Sequence, residues 1–135
     1  MNNLPVAKTS IIADVNLDMI ALRDTSINGI AALVSARLPE KISGIIKSSN
    51  DPSRDLPLNW SASETSRARN SSDHYSFFLK NIPAVFFITG GSSDIHTPGD
   101  DAWKIDYDYY CKATRSVYEI VYALANDLAS LKVIK

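Results

Sequence analysis

The chain has 135 residues, 45% of them hydrophobic and 21% charged, with a formal net charge of −1. That length and balance fit one globular domain with a buried core, and the even charge argues against an electrostatic grip on nucleic acid or anionic lipid. Cys111 is the only cysteine, which excludes an intrachain disulfide and a structural cysteine–zinc cluster.

Met1-Asn2-Asn3-Leu4-Pro5 lacks the basic and apolar regions of a secretory signal, and no apolar run approaches a membrane span. No membrane partner is expected, and the compartment stays open. Ile11 to Ile20 is apolar with sparse polar positions, which predicts a buried strand of about 5–8 residues. Arg23 to Ser26 reads as a turn. Ile30 to Ala36 is ambiguous, because its β-branched residues favour a strand and its alanines a helix. Pro39-Glu40-Lys41 suits a first helical turn, and Ile42, Ile45 and Ile46 give that helix an apolar face. Ser48 to Ser53 is a loop.

Leu56 to Trp60 is expected as a short edge strand, since Pro57 cannot donate to a central ladder. Ser61 to Ser72 is polar and reads as a surface loop. Ser72-Asp73 resembles an N-cap for a short helix from His74 to Lys80, closed at Asn81. Pro83 to Ile88 is a second buried strand, and Gly90 opens a loop that runs through His96. A long helix is expected from Asp106 to about Leu131, with Val117, Ile120, Val121, Leu124, Ala125 and Leu128 on one stripe. Alternating strands and helices predict an α/β fold with a mainly parallel sheet, whose ligands gather beyond the carboxyl ends of the strands.

Both histidines, His74 and His96, stand beside acidic residues. His96 follows a strand in a Gly/Ser/Asp/Pro loop. It reads either as a solvated loop histidine or as a zinc ligand steered by its Asp neighbours. Asp18 lies in an apolar run, where a carboxylate needs a cap to make, a partner or a metal. Asp73 is open between a helix cap and a catalytic role, and His74 between a pocket contact and a surface residue. Asp100 and Asp101 suit a turn, and Asp14 a structural role. No Gly-x-Ser-x-Gly elbow, P-loop or dinucleotide fingerprint occurs.

Five motifs occur in order: Asn16-Leu17-Asp18-Met19-Ile20, Ser72-Asp73-His74-Tyr75-Ser76-Phe77, Asn81-Ile82-Pro83-Ala84-Val85-Phe86-Phe87, Asp94-Ile95-His96-Thr97-Pro98 with Asp100, and Lys104-Ile105-Asp106. Together they resemble the M28 zinc aminopeptidases over essentially the whole chain. The resemblance implies a phosphorylase/hydrolase-like α/β fold, a three-layer sandwich around a mainly parallel mixed sheet. It also implies two zinc ions held by a His, a bridging Asp, a Glu, an Asp and a final His. The fourth of these maps onto Asp18 and the last onto His96. Asp73, His74 and Asp100 are then expected to line the pocket. A Glu beside the Glu ligand is the family's general base, and metal-held water attacks the peptide carbonyl.

The chain departs from that pattern in two places. Nothing before Asp18 supplies the first His, the bridging Asp or the Glu-Glu pair. Residues 1–135 therefore read as the C-terminal part of a single peptidase domain, incomplete at its N-terminus and lacking the general base. Pairing with the missing part, or a homo-oligomer, is expected. Ile95 also stands where many relatives carry an oxyanion-assisting Tyr, and Ala21 where Gly is frequent. The expected function is aminopeptidase hydrolysis by the parent protein. The alternatives are a glutaminyl-cyclase-like acyltransferase, disfavoured because Ile95 replaces the usual Trp, and a non-catalytic module with the same fold.

Overall fold

A computed structural model describes residues 4–23, 29–34, 39–49, 56, 58–61 and 70–127. In chain order these give β1 (Asp14–Leu17), β2 (Ile30–Val34), α1 (Glu40–Ser48), β3 (Leu58–Ser61), α2 (His74–Phe78), β4 (Ala84–Ile88) and α3 (Tyr107–Asn126). Short 3-10 turns at Lys8–Ser10 and Ala102–Lys104 precede β1 and α3.

The strands form one mixed sheet in the order β1-β4-β2-β3. β1 runs parallel to β4, with Asn16 opposite Phe86 and Leu17 opposite Phe87. β2 runs antiparallel to β4 and parallel to β3. The sheet is thus parallel at both flanks and reverses between β2 and β4. The ambiguous segment from Ile30 is a strand, and β3 lies at the sheet edge as expected, but it spans Leu58–Ser61 instead of starting at Leu56, and Pro57 lies outside the described residues. The first strand is shorter and less buried than expected: only Asp14 to Leu17 register against β4, and as an edge strand it is half-buried, with Leu17 exposed.

Alternation along β4 explains how its two faces are used. Val85 and Phe87 face α1 and α3 and join Ile30, Ala32, Ile42, Ile46, Ala113, Val117 and Ile120 in the main core. Phe86 points to the other face, where the His74 ring of α2 stacks on it at 4.7 Å and 15°. Phe86 and Phe87 are both essentially inaccessible. Each fully buried phenylalanine stabilises the fold by roughly 1.5–3 kcal/mol relative to exposure.

α1 starts after Pro39, which occupies the N-cap position instead of the first turn. It buries Ile42 and Ile46 and ends at Ser49, with Lys47 favourably placed in its last turn. α3 starts where Asp106 accepts a hydrogen bond from the Tyr109 amide at 3.0 Å, satisfying one orphan N–H of the first turn. The buried tyrosine hydroxyl of Tyr109 donates to the Gly29 carbonyl at 2.9 Å, tying α3 to the entry of β2.

The expected stripe on α3 is corrected in part. Val117, Ile120 and Leu124 are buried, whereas Val121 and Ala125 are exposed. The packing face is instead completed by Tyr109, Ala113 and Ser116, because successive residues turn by about 100° and Val121 falls on the solvent flank. Leu128 and the rest of the expected C-terminal turn lie outside the described residues, as does most of the polar loop from residue 62 to 69. No described helix is long and apolar enough to cross a membrane.

Candidate metal and cleft site

β1 and β4 are parallel neighbours, so their carboxyl ends lie side by side. Asp18 follows β1 directly and its amide donates to the Phe87 carbonyl at 3.2 Å, which continues the ladder by one bond. The buried Thr89 follows β4. Its amide donates to the Met19 carbonyl at 3.2 Å, and its hydroxyl lies 2.9 Å from that carbonyl and 2.8 Å from the Leu22 carbonyl. These contacts hold the segment after Asp18 against the start of the His96 loop.

The Asp18 carboxylate is set by a short relay. Ser72 Oγ donates to Asp18 Oδ2 at 2.8 Å and accepts from Asn16 Nδ2 at 2.8 Å. Asn16 and Asp18 are two residues apart on an extended segment and share a face, which is why one hydroxyl serves both. This corrects the reading of Ser72-Asp73 as a helix cap. Asp73 stands at the N-cap of α2 in helical geometry without a side-chain capping bond, and the first turn closes through the Ser72 and Asp73 carbonyls.

A cleft of about 360 Å3 opens between the segments that follow the two strands. Met19, Leu22, Ile95 and Ile105 give it apolar walls, and Asp100 and Asp101 add carboxylates. Asp18 and His96 adjoin it through their chain neighbours Met19 and Ile95. Met19 and His96 both have left-handed backbone, with φ of 56° and 62°. Non-glycine residues adopt that conformation at a cost of order 1 kcal/mol, so the surrounding structure must impose it. Gly91 allows the close approach of the two segments: a Cβ there would lie 2.8 Å from Met19 Cε and 3.1 Å from Ile95 Cδ1.

The sequence-derived site residues therefore separate. Asp18, half-buried, directly follows β1, and His96, exposed, lies in the loop after β4; their neighbours Met19 and Ile95 line the same cleft. Asp100 lines the cleft, while Asp73 and His74 do not. His74 is buried under α2 against Phe86, not displayed at the surface. Asp73 is exposed and acts on Asp14, whose carboxyl is pushed up to about 6 by burial and then by the Asp73 charge. Asp14 Oδ2 is buried and has no hydrogen-bond partner. Sequence reasoning missed the roles of Asn16 and Ser72. The period of 2 in Asn16-Leu17-Asp18 is the signal for Asn16, whereas nothing local marks Ser72.

A carboxylate and an imidazole are suitable zinc donors. Their number falls short, because no three His, Cys, Asp or Glu side chains gather as a metal site among the described residues. Among the described residues, the donors fit zinc in kind but do not complete a site.

The family model for peptidase family M28 matches residues 2–121. The chain belongs to that family. In fold, this M28 chain is similar to the aminopeptidase LapA of Legionella pneumophila, at a TM-score of 0.62 and 20% identity, over 84% of this chain and 31% of that one. A second LapA structure gives a TM-score of 0.63 and 20% identity, over 84% and 32% of the two chains. The chain thus spans about a third of the length of these structures. No curated protein matches it significantly in sequence.

Proposed function

We propose that this M28 chain is part of a zinc-dependent aminopeptidase, to which it contributes Asp18 and His96 as metal ligands and the cleft that receives the peptide's N-terminal residue. The observation carrying this reading is that Asp18, directly after β1, and His96, in the loop after β4, each adjoin a residue, Met19 and Ile95, that lines one cleft with apolar walls and carboxylates. That lining complements a peptide end that pairs an apolar side chain with a protonated amine. Bound zinc would supply an activated water and polarise the scissile carbonyl. In this chain, Ser72 holds the Asp18 carboxylate and the His96 loop presents the imidazole. On this reading the remaining metal ligands and the Glu base are supplied by other parts of the peptidase, since among the described residues no third ligand joins Asp18 and His96.

The test is release of N-terminal residues from peptides by the parent protein loaded with zinc. Asp18→Asn and His96→Ala are each expected to lower kcat/KM by at least about 100-fold, with loss of bound zinc. The 135-residue chain alone is expected to bind zinc weakly, since two donors rarely hold a structural ion. Full activity in the parent variants, or tight calorimetric binding of two ions by the isolated chain, would overturn this division of the site. That no three donors gather among the described residues leaves a second reading, a non-catalytic module with the peptidase fold. A parent protein without peptidase activity, and with no zinc at His96, would establish it.

A further inference from the structure

His96 sits exposed at the tip of a turn in left-handed conformation, so something other than burial must hold it there. The turn has its own bonds. The Thr97 amide donates to the Asp94 carbonyl at 2.9 Å, as does the Thr97 hydroxyl at 2.7 Å, and the Asp100 amide donates to the Thr97 carbonyl at 3.1 Å. These bonds are local, and most are open to water, where such bonds compete poorly. The contact that spans the turn comes from farther along the chain. The Lys104 ammonium donates to Asp94 Oδ2 at 2.7 Å and also to the Gly99 carbonyl. Asp94 lies two residues before His96 and Gly99 three residues after it, so one cation ties both stems of the turn.

Lys104 is itself fixed. It ends the 3-10 turn Ala102–Lys104, its side chain is 26% exposed, and its ammonium lies 5.3 Å from the Trp103 ring centroid. We infer that Lys104 is the positioning residue for His96, clamping Asp94 to Gly99 and so fixing where the imidazole points. Its meaning for catalysis rests on the reading of His96 as a zinc ligand, but the clamp is a property of the metal-free chain.

The chain has only two histidines, which makes the test simple to read. In a histidine-ring NMR spectrum of the metal-free chain, His74, buried against Phe86, serves as the internal control. Lys104→Met is expected to broaden or double the His96 ring signals while His74 stays unchanged. The Thr97 and Asp100 amides should exchange at least about 10-fold faster, with helix α3 protection retained. Lys104→Arg, which can reach both acceptors, should restore the single His96 signal. An unchanged His96 signal and unchanged Thr97 exchange in Lys104→Met would overturn the inference. So would an equal disturbance of His74 and α3, which would make Lys104 a general stabiliser. Failure of the zinc reading shows separately, as a parent protein whose zinc content is unchanged by His96→Ala.

Discussion

Ser72 and Asp18, 54 positions apart in sequence, meet through a 2.8 Å hydrogen bond, and the same serine oxygen accepts from Asn16 at 2.8 Å. One hydroxyl thereby joins the start of α2 to the end of β1 and fixes the oxygen of a candidate metal ligand.

Ser72→Ala removes that donor and leaves the Asn16 amide without its acceptor. The loss should be about 1–2 kcal/mol of unfolding free energy, the usual cost for a part-buried polar pair of this kind. Urea titration of the single variants and of Ser72→Ala/Asn16→Ala checks this. The two changes should be clearly less than additive, because they break the same bond.

Asp14 gives the chain a pH dependence of known sign. Its carboxyl is pushed up from 3.8 to about 6 by burial and the neighbouring Asp73 charge. A raised carboxyl pKa favours the folded state while the group is protonated. That contribution is complete below about pH 4 and is lost as the pH rises through about 6. Asp14→Asn should therefore match the parent chain near pH 4 and exceed it near pH 7.5. The gain should be about 1 kcal/mol, after allowing for solvent screening at a half-buried site. Thermal melts across this range should show the two curves diverging between pH 4 and pH 7; parallel curves would contradict the assignment.

Gly91→Ala should reshape the cleft more than it destabilises the fold. The new Cβ would press on Met19 Cε at 2.8 Å, the far end of a flexible side chain that can move away. A stability loss of about 1 kcal/mol or less is expected, with Met19 displaced. The Met19 methyl resonance reports that movement directly.

Tyr109→Phe deletes a buried hydroxyl and strands the Gly29 carbonyl at the entry of β2. The expected cost is about 1–2 kcal/mol, measured by chemical denaturation. Tyr110→Phe on the exposed side of the same helix should cost almost nothing.

β1 pairs only with β4, so its outer edge presents unpaired backbone groups among the described residues. Leu17 beside it is 41% exposed. Such an edge invites another strand, and the isolated chain should self-associate as its concentration rises. Sedimentation at two concentrations tests this, and a monomer at both would contradict it.

The sequence by itself determined the α/β class, the cores of β1 and β4, the short helix after Asp73, the long helix from Asp106 and membership of the M28 family. Those features are written in local signals: the Pro83–Ile88 apolar run, the Asp106 cap, the 3.6-residue stripe through Val117, Ile120 and Leu124, and motifs read in order. Only the tertiary structure decided that the segment from Ile30 is a strand, since its propensities conflict and pairing with β4 and β3 settles it. Only tertiary structure turned Ser72 from an apparent helix cap into the partner of Asp18, and buried His74 under α2 against Phe86. It also brought Lys104 back across the His96 turn. The reason is the same in each case. A side chain's rotamer and partner depend on which element packs opposite, and in the Ser72–Asp18 pair the partners lie more than 50 residues apart.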